Sequence, residues 1–242
     1  NIYSLEEQKL TQNNLSRTGV FSKVQMIPIL KDTLNGDTLD FKINLVMGKP
    51  LEAEFGVNVT SKSNSFIGPG ADFSLSHNNI FGGAEKLTLK LNGAYEWQTG
   101  ANQVENSALM NSYEFGARVS LLFPRLLLSK NLKKQRKYLS STKFELGASL
   151  LNRPKYFRMF SFDAAMEYNF STSLESTHMF NPFKLVYNKL LNTSASFETT
   201  LNENPAIALS FRDQFIPMMR YAYTYSKPFG PQKSNKIYMR LE

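Results

Sequence analysis

The residues with the clearest capacity for chemistry are two histidines, His77 and His178, in a chain of 242 residues that has no cysteine. The lack of cysteine excludes disulfides, thiolate metal sites and cysteine nucleophiles. The sequence contains no HExxH, GxSxG or P-loop motif. A serine, histidine and aspartate set stays open as an alternative, but each histidine lies at a strand end or in a turn, where we favour a structural role. We therefore predict a protein that is not an enzyme and that binds no cofactor.

Two acidic residues, Glu52 and Glu54, are spaced so that they share one face of a predicted strand. That spacing suits a metal site, and it equally suits the charged lining of a water-filled interior. We favour the second interpretation, and we predict no metal site.

One dense basic run, "SKNLKKQRKY" over residues 129–138, stands out from otherwise dispersed charge. Its cationic residues are Lys130, Lys133, Lys134, Arg136 and Lys137. The run is either a solvated turn or a contact for anionic lipid headgroups or an acidic partner subunit. The net charge of +8 is spread along the chain, so we predict no nucleic-acid binding.

The elements that carry these residues alternate with a period of two. In "EKLTLKLNGAYEWQ", residues 85–98, apolar side chains point one way and charged ones the other. The same pattern recurs often enough to predict seven antiparallel strands and the start of an eighth. They cover residues 51–60, 70–78, 85–98, 112–123, 143–150, 160–170, 219–226 and 234–242.

A soluble sandwich and a transmembrane barrel both alternate in this way. Three features favour the barrel: strands of about the length of a tilted bilayer crossing, aromatic residues at the ends of the apolar faces, and mixed charge on the opposite faces. We therefore predict an all-β, antiparallel outer-membrane β-barrel. Its predicted lipid-facing residues are Leu87, Leu89, Leu91, Tyr95, Trp97, Phe115, Val119 and Leu121.

The N-terminal segment differs from the rest. Ser4 and Glu7 form a capping box and Gly19 suits a helix C-terminus, so residues 4–19 are predicted to be helical. Two extended runs follow, joined by the hairpin signal Asn35-Gly36-Asp37. We predict a partial α+β domain over 1–48 and barrel over 49–242. By strand parity, the turn that contains the basic run and a helical insert at about 171–215 are both expected in the periplasm.

Several stretches resemble the outer-membrane assembly and translocation superfamily of BamA and TamA. "SHNNIFGGAEKLTLKLNGAYEWQTG" resembles its early barrel strands and first periplasmic turn, and "LSRTGVFSKV" resembles part of a POTRA domain. "HMFNPFKLVYNKLL" and "FRDQFIPMMRYAYTY" resemble the lipoprotein-type TamA relatives of Bacteroidota, TamL. The matching turn residues are Asn79, Ile80, Phe81, Gly82, Gly83 and Glu85.

The resemblance implies a factor for outer-membrane protein assembly, insertion or translocation, with its POTRA module in the periplasm of a Gram-negative bacterium. Its implied partners are outer-membrane lipid, nascent outer-membrane proteins or lipoproteins, and accessory subunits. It also implies a laterally opening seam, here Leu51, Glu52, Ala53, Glu54, Phe55, Gly56, Val57, Asn58 and Val59. A passive porin or solute channel is the alternative. The family's barrel is longer, so we expect these residues to be part of a larger protein.

Overall fold

The computed structural model describes residues 3–30, 39–61, 66–98, 111–127, 138, 140–154, 156–229 and 235–242. Three helices and eleven strands form in these ranges. The helices are α1 (Leu5–Arg17), α2 (Ala195–Glu203) and α3 (Pro205–Ser210). The strands are β1 (Phe21–Leu30), β2 (Leu39–Met47), β3 (Leu51–Ser61), β4 (Phe66–Asn78), β5 (Lys86–Gln98), β6 (Asn111–Phe123), β7 (Ser140–Arg153), β8 (Phe157–Ser171), β9 (Ser176–Thr193), β10 (Gln214–Phe229) and β11 (Asn235–Leu241).

The N-terminal unit consists of α1 and the antiparallel pair β1–β2. The Ser4 hydroxyl accepts a hydrogen bond from the Glu7 N–H, and Gly19 after the helix has a φ of 72°, as a C-terminal glycine requires. Val20 and Val24 are buried where α1 packs on β1. The predicted helix and hairpin are therefore present, while the predicted turn at Asn35-Gly36-Asp37 lies outside the described residues.

Strands β3 to β11 form one antiparallel sheet in which each strand pairs with its neighbours in sequence. Its two edges in the described part of the chain are β3 and β11, and no pairing between them closes a barrel there. We call the end at which β3 begins the proximal end and the opposite end the distal end. The sheet has nine strands rather than the seven or eight predicted.

The additional strand is β9, so the prediction of a helical insert over 171–215 is wrong for residues 176–193. Between the pairs Met166–Phe183 and Tyr168–Phe180, β8 advances by two residues and β9 by three, which is a β-bulge in β9. Pro182 lies in this bulge, where a missing ladder N–H is tolerated. Because of the extra residue, the apolar face of β9 holds even-numbered residues before the bulge and odd-numbered residues after it. The alternation with a period of two is therefore interrupted in the sequence of this strand.

The two short helices of the predicted insert are present, and Pro205 begins α3 as expected. Because β9 intervenes, they connect β9 to β10 at the distal end rather than at the end at which β3 begins, so the strand parity on which the predicted periplasmic location rests is wrong. Phe197 of α2 is buried against Tyr156 and Phe157 in the β7–β8 connection, with ring centroids 6.0 and 5.5 Å away, and contacts Phe211 at 5.0 Å. This aromatic cluster fixes the helices to the sheet.

The side chains are arranged the opposite way from those of a soluble core. Among the described residues, the buried set contains more polar side chains than apolar ones, while large apolar side chains are exposed across the sheet. No helix in the described ranges is both long enough and apolar enough to cross a bilayer.

Candidate functional site

The exposed edge of β3 contains all nine predicted seam residues, which lie together on one strand of Leu51–Ser61. In the described part of the chain, β3 pairs with β4 alone. Its apolar side chains are unusually exposed: Phe55 at 71%, Val57 at 70% and Val59 at 72%. Whether this edge acts as a seam stays a prediction.

The N–H and C=O groups of β3 point alternately toward β4 and toward the free edge. The Asn78 N–H donates to the Pro50 carbonyl at 2.7 Å, and this pair stands one position before the Leu51–His77 pair. Because hydrogen-bonded and non-hydrogen-bonded pairs alternate in an antiparallel ladder, the even-numbered residues of β3 bond to β4. The N–H and C=O groups of the odd-numbered residues, from Leu51 to Val59, therefore point toward the free edge.

A continuous apolar face runs across the sheet from this edge. We call a set of residues directly paired across the strands a rung. One rung of the apolar face consists of Phe55, Phe73, Leu91, Ala117, Ala148, Phe162, Tyr187 and Phe215. The register places these side chains on the same face through eight strands.

The eight predicted lipid-facing residues share this apolar face. Leu87 pairs with Leu121 and Leu89 with Val119, as the alternation predicts. Tyr95 and Trp97 lie at the distal end of β5, with ring centroids 6.3 Å apart. The common face is a structural result, and their contact with lipid stays a prediction.

The polar face carries charged side chains that pair across strands. Arg118 donates twice to Asp163, at 2.8 and 3.0 Å, across Gly147 on the strand between them. A Cβ on Gly147 would lie 2.4 Å from the Asp163 Oδ1, so the glycine lets the carboxylate take this position. Two other glycines on this face are covered in the same way by a side chain of the neighbouring strand: Asn58 lies over Gly70, and Asn92 lies over Gly116.

Glu52 belongs to the same system of charges. Its carboxylate accepts from Asn78 at 3.1 Å and from Lys86 at 3.3 Å. These contacts make Glu52 part of the charged polar face, and whether that face lines a water-filled interior stays a prediction. No group of three or more His, Asp or Glu side chains that could hold a metal occurs among the residues that the structure describes.

The turn between β4 and β5 holds a buried charge. Glu85 is 2% exposed; its carboxylate accepts from the Gly83 N–H at 2.8 Å and from Arg125 at 2.9 Å. Burial acts to raise the pKa of Glu85, but hydrogen bonds from its own N–H and that of Gly83, together with Arg125, hold that pKa below its ordinary value.

The backbone of this turn needs unusual torsions, with φ of 72° at Asn79, 86° at Gly82 and 64° at Ala84. The Asn79 side chain stabilises them by accepting from the Ala84 N–H at 2.7 Å. The quoted turn residues thus form one network, which presents Phe81 at 68% exposure.

His178 lies in an aromatic cluster at the proximal end of β9. Its ring stacks on Phe170 at 4.9 Å, and its nitrogens contact the Tyr221 hydroxyl at 2.7 Å and the Thr172 hydroxyl at 3.1 Å. The other histidine, His77, ends β4, with a buried Nδ1 that has no hydrogen-bond partner in the structure. His178 thus lies in a strand rather than in the predicted turn, and the structural roles of the two histidines stay a prediction. The basic residues from Lys130 to Lys137 lie outside the described residues.

Comparison with known proteins identifies one fold. No protein-family model and no curated protein matches the chain. Among solved structures, the chain is similar to BamA from Haemophilus ducreyi lacking POTRA domains 1–3, with a TM-score of 0.51 and 14% identity. The alignment covers 93% of this chain and 38% of that one, so the chain spans well under half of that relative. At this identity the similarity shows the fold alone, a BamA-like barrel wall.

Proposed function

We propose that this protein is an outer-membrane factor that inserts or translocates other proteins and acts through the free edge of β3. The observation that carries the proposal is the combination of that edge with a continuous, exposed apolar face. The BamA-like fold supports it. In this proposal the apolar face contacts outer-membrane lipid, and the clients are nascent outer-membrane proteins or lipoproteins.

The physical basis is the cost of a free strand edge in a bilayer. Each unsatisfied N–H or C=O group in hydrocarbon costs several kcal/mol. The odd-numbered residues of β3 carry such groups, and their side chains are apolar or small. A client strand that pairs with β3 satisfies these groups and continues the apolar face, which is strand addition of the β-augmentation type.

The N-terminal unit favours assembly over passive transport in this proposal. A porin has no use for a POTRA-like module, whereas an assembly factor uses one to receive clients and accessory subunits. We propose that α1 and β1–β2 belong to such a module in the periplasm of a Gram-negative cell, and that the protein is related to the TamL type of Bacteroidota.

Depletion of the protein in its host tests the proposal. We expect a broad loss of other barrels or surface lipoproteins from the outer membrane, measured by quantitative proteomics. Re-expression of the wild-type protein should restore them. Normal levels of these proteins combined with lost uptake of one solute would instead identify a channel.

A further inference from the structure

The free side of β3 leaves Glu54 in a position to contact an incoming strand. Even-numbered residues of β3 bond to β4, so in an antiparallel pairing on the other side they form non-hydrogen-bonded pairs. In such pairs the Cα atoms are only about 4.5 Å apart and the side chains are closest. Glu54 is exposed, and its side chain lies on the polar face.

The sheet itself shows what a carboxylate on this face is paired with. Three carboxylates of this face meet cations on the same or nearby strands: Glu52 contacts Lys86, Asp163 contacts Arg118, and Glu145 contacts Lys143 at 2.9 Å. Two others, Asp72 and Glu167, accept hydrogen bonds from asparagine side chains instead. Glu54 lies in the rung that contains Arg118 and Asp163. On its free side, the next position of that rung belongs to whichever strand pairs with β3.

Charge is also distributed unevenly between the two edges of the sheet. In the described residues of β3 and β4, the charged side chains of the polar face are Glu52, Glu54 and Asp72, with no lysine or arginine. On β10 and β11 the same face carries Arg220 and Arg240, which both contact Glu242. The β3 edge is therefore the acidic one.

We propose that Glu54, assisted by Glu52, selects client strands that carry lysine or arginine at the facing positions of their polar side. This rests on the proposed function. Backbone pairing supplies the affinity for any strand, and the two carboxylates favour basic strands and disfavour acidic ones. Because the Glu52 carboxylate already accepts a hydrogen bond from Lys86, Glu54 makes the larger contribution to the preference for basic strands.

Matched peptides and a fixed register test the proposal in the intact protein. The 242 residues contain no cysteine, so Asn58→Cys adds one thiol to them, on the polar face and at a position where the side chains of a pairing strand come closest. Three peptides with alternating apolar and polar residues each carry a cysteine at the position that faces the introduced thiol. At the two positions opposite Glu52 and Glu54, the first peptide carries Lys, the second Thr and the third Glu. Their tethered fractions are measured in a glutathione redox buffer.

We expect tethering in the order Lys, Thr, Glu, with about a twofold to thirtyfold preference for Lys over Thr, the range that two cross-strand charge pairs give. In Glu54→Gln the preference should shrink, and in Glu54→Lys it should reverse. Glu114→Gln, on the same face of β6, is the control and should keep the order.

The outcomes separate the two proposals. Equal tethering of all three peptides would overturn charge selection by Glu54 and leave strand addition intact. A preference that survives in Glu54→Lys would overturn it too. Failure of every peptide to tether above the level of a scrambled, non-alternating peptide would overturn strand addition at β3 itself.

Discussion

At the scale of single residues, the two faces of β5 respond oppositely to the same substitution. Leu89 pairs with Leu75 and Val119 on the apolar face, and Lys90 lies on the polar face. If the apolar face meets lipid, Leu89→Arg should destabilise the inserted protein by about 2–4 kcal/mol, the range for a cation near the bilayer midplane. Lys90→Arg is the matched control and should be nearly silent. Urea unfolding in lipid vesicles measures both, and equal effects would contradict the assignment of the faces.

Individual contacts were predictable from the sequence only where they follow the strand period. Alternation alone places Leu87 and Leu121 on one face, because pairing between successive strands repeats it. The contact between Glu85 and Arg125 joins positions 40 residues apart, and it depends on how the chain leaves β6. The quoted turn motif contains Glu85, but no local signal identifies its partner.

At the scale of elements, the Arg118–Asp163 bridge depends on a glycine between the two strands. Gly147→Ala places a Cβ 2.4 Å from the Asp163 Oδ1, so the carboxylate must move. We expect a destabilisation of about 0.2–1 kcal/mol, because the displaced carboxylate ends a flexible side chain and the ion pair that it weakens is partly exposed. Gly56→Ala is the control, since its Cβ would meet nothing nearer than 4.0 Å. Denaturant unfolding compares them, and similar losses for both would mean that the bridge is not the cause.

Strands with an unbroken period of two were predicted from sequence, and β9 was not. The missed strand has its apolar residues at Phe180 and then at Phe183, because the bulge at Pro182 inserts one position. A proline and a broken alternation both argue against a strand when only the sequence is considered. Pairing with β8 and β10 on either side overrides these local signals.

At the scale of the whole molecule, the proposed seam can be locked. In the full-length protein, one cysteine within residues 52–58 and another in the final strand should form a disulfide if these strands meet. We expect loss of client insertion on oxidation and recovery with reductant, because a locked edge cannot accept a strand. Insertion of a reporter barrel into vesicles measures the effect. Full activity with complete crosslinking would rule out lateral opening.

The order of strands in the large sheet bears on how it folds. Each strand pairs with its neighbours in sequence, so its contacts are local, and local contacts are associated with fast folding because only short loops must close. The sheet can grow hairpin by hairpin in the order of synthesis, and no pairing has to wait for a distant segment. In the described part of the chain, β3 and β11 are the two strands of this sheet that have a neighbour on one side only. Any closure there is a long-range step with a large loop entropy, which makes it the slowest pairing to form.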